Sequence, residues 1–180
     1  DYIVNMHSNT TGTGGTVNGL LPGTGATQRI GMKVAIRTIE IRGVAYREPG
    51  HQEDDSIRFQ LWIDKQTNGG PTAPYGSQLN PVSVYGFRNL THRKRFKVLL
   101  DKTWHLGGSD GATSDRNNRV RNFHFYIKLR RPLIVEYNAG TAGDLSDIEA
   151  NSLHVYTIGT LAADSYSHCD GLVRIRYTDM

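Results

Sequence analysis

The sequence predicts an all-β fold: a single eight-stranded jelly roll, built as a two-sheet antiparallel sandwich with long loops. Three observations predict it. Strand-period alternation recurs along the chain, no segment holds an apolar stripe at helical spacing for three turns, and several connections are long. At 180 residues the chain has the length of one domain, expected to span 1–180. Hydrophobic residues make up 37% and charged residues 21%, the balance of a folded chain. Its 20 glycines and 9 tyrosines, beside many Thr, Val and Ile, favour strands joined by turns.

Thr16–Leu21 is a short β-like piece after a Gly/Thr-rich opening. Lys33–Arg47 is long, with Val34 and Ile36 on one face and Ile39 and Ile41 on the other, so a bulge or twist is expected near Thr38. Ser56–Asp64 alternates, with Ile57, Phe59, Leu61 and Ile63 inward and Arg58, Gln60, Trp62 and Asp64 outward. Arg95–Leu106 places Phe96, Val98, Leu100, Trp104 and Leu106 on one face. Arg119–Arg130 turns Phe123, Phe125, Ile127 and Leu129 inward. Pro132 lacks a ladder N–H and is expected to interrupt, with Leu133–Tyr137 resuming as a separate strand. Ser152–Leu161 is apolar on both faces, as where a second surface covers a strand, and Leu172–Thr178 closes the chain. The best helical candidate, Asp144–Asn151, is short. Connections of 30 residues (65–94), 12 (107–118) and 14 (138–151) separate this pattern from a lipocalin-type barrel, whose hairpins are short.

Cys169 is the single cysteine, so an intrachain disulfide framework and a multi-Cys zinc site are both excluded. No apolar run reaches the length of a membrane helix, and membrane insertion is not expected. The sequons at Asn9 and Asn89 read as chance matches. Net charge is only +4, but it is segregated. Residues 88–131 hold 12 Lys/Arg against Asp101, Asp110 and Asp115, whereas 132–170 hold six acids and no Lys or Arg. Such a division suits a surface meeting a polyanion, or faces that meet each other.

The loop Gly23–Gly31 resembles a phosphate cradle, but no helix follows it; a turn fits better, with Arg29 free to reach a neighbour or a phosphate. Arg93, Lys94, Arg95 and Lys97 form the densest basic run. Arg174 and Arg176 alternate on the outer face of one strand, as do Arg58 and Trp62 on another. If those strands were neighbours, they would make a cationic surface with an aromatic stacking platform. Arg130 and Arg131 precede Pro132 and could line the same surface. The seven histidines show no H-x-H or H-E-x-x-H spacing, and no G-x-S-x-G occurs. No metal, no cofactor and no enzymatic activity are expected.

Four segments in order carry a family resemblance. They are Gly23-Thr-Gly-Ala-Thr-Gln-Arg-Ile-Gly31 leading into a basic strand, Phe87-Arg-Asn-Leu with Arg93–Trp104, Ser152–Ala162, and Val173–Asp179. Together they resemble the capsid proteins of small circular single-stranded DNA viruses that encode a replication initiator, the geminivirus, circovirus and nanovirus group. The resemblance implies a coat protein whose copies form a small icosahedral shell, T=1, around circular single-stranded DNA. It also implies location in the virion and assembly in the host nucleus. An Arg-rich N-terminal arm is part of that pattern, yet Asp1–Thr11 holds no Lys or Arg, so the arm is expected to be absent or trimmed. The nucleic-acid-binding set expected on this reading is Arg29, Arg58, Trp62, Arg93, Lys94, Arg95, Lys97, Arg130, Arg131, Arg174 and Arg176. The rival reading is a secreted jelly-roll recognition module, carbohydrate-binding or a trimeric cytokine-like ligand.

Overall fold

The computed structural model describes residues 1–9, 15–47, 55–67, 75–107, 120–160 and 167–180. Its strands are β1 (Tyr2–Asn9), β2 (Gly15–Thr16), β3 (Lys33–Arg47), β4 (Asp55–Asp64), β5 (Leu79–Asn80), β6 (Phe87–Arg88), β7 (Phe96–Leu106), β8 (Val120–Tyr137), β9 (Ile148–Ala150), β10 (Ser152–Gly159) and β11 (Ser167–Asp179). One sheet has the order β1-β11-β3-β8-β9 and the other β2-β10-β4-β7, with β5 and β6 forming a small ribbon. Setting aside the short β5, β6 and β9, the remaining strands taken in chain order fall into the sheets 1-8-3-6 and 2-7-4-5. First therefore pairs with last and second with second-to-last, the doubled Greek key of a jelly roll.

The alternating pattern buries as the sequence predicts. Ile39, Ile41, Ile57, Phe59, Leu61, Val173 and Ile175 are fully buried between the two sheets. At the centre, Phe59 lies 5.4 Å from Phe123, which stacks on Trp104 at 5.1 Å. Gly43, opposite Gly171 in register, makes room for this group: a Cβ on Gly43 would come within 2.7 Å of the Phe123 ring.

Four details differ from the sequence reading. β1 was not anticipated; it pairs with β11 along its length and turns Tyr2, Val4 and Met6 to the core. Of the predicted Thr16–Leu21 strand only its first residue is ladder-paired, although Val17 and Leu20 are buried. The two strands expected at 119–130 and Leu133–Tyr137 are one, β8 (Val120–Tyr137), which runs through Pro132; Arg119 lies outside the described residues. The proposed helix at 144–151 is a single 3-10 turn, Leu145–Asp147, capped by the Asp144 side chain on the Ser146 N–H, followed by β9. The aspartate cap satisfies the turn locally, and Ile148 is drawn into the sheet instead of continuing a helix.

The long connection after β4 is an arch. Its described part contains α1 (Tyr75–Gln78), the β5–β6 ribbon and a 3-10 turn at Leu90–His92. It lies over the outer face of the four-stranded sheet, where Leu79 packs with Trp62, Phe96 and Tyr156 in a second apolar cluster. That cover is why β10 is buried on both faces.

Candidate nucleic-acid interface

Two bulges build the basic surface. Along β3 and β8 the register runs Ile36↔Leu133 and then Thr38↔Lys128, so residues 129–132 of β8 stand opposite Arg37 alone. The phase change expected at Thr38 is this bulge. Pro132 sits inside it, where no ladder N–H is needed, and Arg130 and Arg131 are pushed out to solvent. The second bulge, between Leu61 and Trp62, leaves Leu99 of β7 out of the pairing. It switches the phase of β7: Phe96 and Val98 pack under the arch, while Leu100, Trp104 and Leu106 face the core. Periodicity alone puts all five on one face, which the bulge overrides. The switch also turns Lys97, paired with Ile63, toward the space between the sheets.

β7 and β8 are neighbouring edges of the two sheets on one side of the sandwich, since β9 covers only the end of β8. Between them opens a groove of about 550 Å³ lined by Lys97, Lys128, Leu129, Arg130 and Arg131. No carboxylate lines it, and none of its four cations makes an ion pair among the described residues.

From the groove the charge continues onto the outer face of the five-stranded sheet. Paired residues share a face, so Lys128, Thr38 and Arg176 form one row, and Tyr126, Glu40, Arg174 and Ile3 the next. Tyr126 is exposed at the centre of β8. Glu40 is an acid set into this face, between Arg174 and Tyr126. It accepts from Arg42 Nη2 at 2.6 Å and from His124 Nε2 at 2.9 Å, with Arg174 at 3.5 Å. The bonds from Arg42, and then from His124, hold its carboxyl below the usual range. Arg176 reaches Asp1 at 3.4 Å and remains half-exposed.

The structure thus brings together Lys97, Arg130, Arg131, Arg174 and Arg176 of the expected set, and adds Lys128, Arg42 and Tyr126. Their common signal in the sequence is cross-strand register, which only the pairing supplies.

Four expected residues are occupied elsewhere. Arg29 is not free: it is 3% exposed, its guanidinium donates to the carbonyls of Leu20, Gly31, Asn138 and Gly140, and it lies 4.6 Å over the Tyr137 ring. It ties the loop before β3 to the loop after β8. Trp62 is no stacking platform, because the arch covers it to 1% exposure and its Nε1 donates to Gln60. Arg58 makes a two-pronged ion pair with Asp101 and also donates to the carbonyls of Val84 and Gly86, holding the arch down. Burial pushes the Asp101 carboxyl up, but the bonds from Arg58 and Gln60 outweigh it and keep the group below its ordinary value. Arg95 is clamped in two-pronged fashion on the buried Asp64. Nor are β4 and β11 neighbours: they belong to different sheets, so Arg58 and Trp62 cannot share a surface with Arg174 and Arg176. Arg93 and Lys94 are exposed at the foot of the arch.

Buried polar groups form structural networks. His154 bridges the Ser152 hydroxyl at 2.6 Å and Thr16 at 3.4 Å, and burial pushes its pKa down to about 4. Ser56 Oγ lies 2.6 Å from His105 Nδ1, while the neighbouring Asp55 is bonded to Thr160 and Ser167 rather than to that histidine. Burial pushes the Cys169 thiol up to about 12.

No family model and no curated protein matches the chain. Among solved structures it is similar to Desmodium yellow mottle tymovirus, at 10% identity over 99% of this chain and 86% of that one, with a TM-score of 0.37. It is also similar to the VP2 subviral particle of infectious bursal disease virus, at 10% identity over 97% of this chain and 30% of that one, with a TM-score of 0.28. Likenesses this distant leave function to be read from the chain's own surfaces.

Proposed function

We propose that this chain is the shell-forming domain of a small virus capsid, a structural and non-enzymatic protein whose copies assemble around nucleic acid. The observation that carries the proposal is the continuous basic band from the β7–β8 groove across the β1-β11-β3-β8 face of a jelly roll. A phosphate backbone needs positive charge at its own spacing and little else, and each neutralised phosphate releases counterions. The band gives such a backbone a track along an edge and over a sheet, with the Tyr126 ring beside it for an unpaired base. Facing the interior, it would offset the charge of the packaged strand.

The finer reading is a T=1 icosahedral shell around circular single-stranded DNA, assembled in the nucleus and located in the virion. It is supported by the four ordered sequence segments that resemble the coat proteins of replication-initiator-encoding DNA viruses. Electron microscopy of the purified protein tests the proposal. Uniform spherical particles of a few tens of nanometres or less are expected. A strictly monomeric species by light scattering, at every concentration and ionic strength tried, refutes it.

A further inference from the structure

The arch carries three strongly exposed apolar side chains, and neither the fold nor the basic band uses them. Phe87 is 81% exposed, Leu90 69% and Tyr85 66%. A core-sized aromatic left in water is unfavourable by roughly 2 kcal/mol relative to burial, so a cluster of this kind marks a contact surface. Its charge is one-sided as well: residues 65–100 hold six Lys/Arg and no Asp or Glu. Arg93 and Lys94 flank the cluster in solvent.

A second apolar patch lies at the end of the sandwich where the loop before β3 meets the loop after β8. Ile30 is 75% exposed, Met32 54% and Leu21 46%. Its setting has the opposite sign. The Asp179 carboxylate accepts from the Ile30 N–H at 3.2 Å, and Leu21 packs on Gly143 beside the exposed Asp144. Of the cations at this end, Lys33 is already neutralised by Glu136 at 2.8 Å, and Arg29 is buried on loop carbonyls. The two patches lie on different elements: the arch covers the outer face of the four-stranded sheet, with its Val84 and Gly86 carbonyls held by Arg58, whereas this patch belongs to the loops that flank β3 and β8.

We infer that the Tyr85–Phe87–Leu90 knob of one copy docks on the Leu21–Ile30–Met32 patch of the next copy, with Arg93 and Lys94 opposite Asp144 and Asp179. This inference rests on the shell reading and names one of its contacts. Two different patches on each copy make the contact head-to-tail, which generates a ring or shell where the rotation closes. A second copy is favoured over a nucleic acid at the arch. Leu90 and Val82 extend the knob with aliphatic surface that matches Leu21, Ile30 and Met32, and the guanidinium of Arg88 is already spent on the carbonyls of Arg93 and Phe96.

The test uses cross-linking of the full chain. Cys169, the sole native cysteine, is buried and does not compete for reagent. Phe87→Cys with Ile30→Cys is treated with a short bis-maleimide and run on a denaturing gel. A ladder of covalent multimers from the double variant, absent from either single variant, is the expected result. Dimers from Phe87→Cys alone would place the arch against its own copy and overturn the inference. An uncross-linked double variant overturns it too. In that case particles in the same sample by electron microscopy leave the shell reading standing, and their absence from the wild type removes that reading as well. Phe87→Ser with Leu90→Ser, both surface changes, should shift the wild-type assembly to monomer. If it instead lowers oligonucleotide affinity and leaves the oligomer intact, the arch belongs to nucleic acid and the inference fails.

Discussion

Replacing Arg130 and Arg131 by alanine probes the basic band where it is most independent of the fold. Both side chains project from the β8 bulge into solvent, and neither makes an ion pair among the described residues, so the double variant should keep its melting temperature. The band offers six cations to a single strand: Lys97, Lys128, Arg130, Arg131, Arg174 and Arg176. With roughly 0.7 counterions released per phosphate neutralised, the wild type should show a log–log salt slope of about −4, and the variant about −3. Between 50 and 200 mM salt the wild type then loses roughly 300-fold in affinity and the variant roughly 50-fold. Fluorescence anisotropy of a labelled oligo(dT) at four salt concentrations measures both slopes. A variant slope equal to that of the wild type would mean that no phosphate reaches the groove, and the argument from the bulge would be wrong.

Trp62→Ser should destabilise the fold by about 3–5 kcal/mol in urea while leaving the salt slope unchanged, because the ring is packed under the arch. A lowered slope with normal stability would restore the stacking role. Arg29→Ala strips four carbonyls of their donor and should cost about 3 kcal/mol or more; Arg29→Lys cannot replace the planar fork and should recover little by the same measurement. Glu40→Gln adds Arg42 to the six cations of the band and should steepen the salt slope by about 0.7 while tightening oligonucleotide binding; weaker binding would show that the cluster is needed intact. For His154 the folded pKa of about 4 lies below the ordinary 6.5, so the native state binds fewer protons than the unfolded chain between those values. Its contribution is therefore full above pH 6.5 and is lost as pH falls through 6.5 toward 4, by about 3 kcal/mol. Urea titrations at pH 7, 5 and 4 should show that loss in the wild type and a smaller one in His154→Gln; parallel curves would refute it.

The two-residue period of β3, β4, β8 and β11 was readable because each strand packs one face into the space between the sheets, and burial imposes alternation on the residues themselves. The Thr38 phase change was readable for the same reason: a flip from Val34 and Ile36 to Ile39 and Ile41 calls for a bulge or a twist, and the strand pairing makes it a bulge. β1 carried the same mark in Tyr2, Val4 and Met6, but over too few residues to stand out. The long loops and the segregation of charge were likewise plain from composition.

What the residues alone could not decide is which cations remain free. Arg29, Arg58 and Arg95 look like Arg130 and Arg131 on paper. Their fates differ because a guanidinium near a carboxylate or a row of loop carbonyls is consumed by the fold, and a decisive partner of each lies far off in the chain: Asp64 is 31 positions from Arg95, Asp101 43 from Arg58 and Gly140 111 from Arg29. Trp62 alternates as an outward residue and does point outward, yet a connection laid over that sheet buries it. The basic groove exists because two bulges on edges of different sheets turn Lys97 and the 129–132 segment toward one another. Periodicity is a local property that the sequence by itself determines. The juxtaposition of two sheet edges, and hence the surface open to a phosphate backbone, is decided only by tertiary packing.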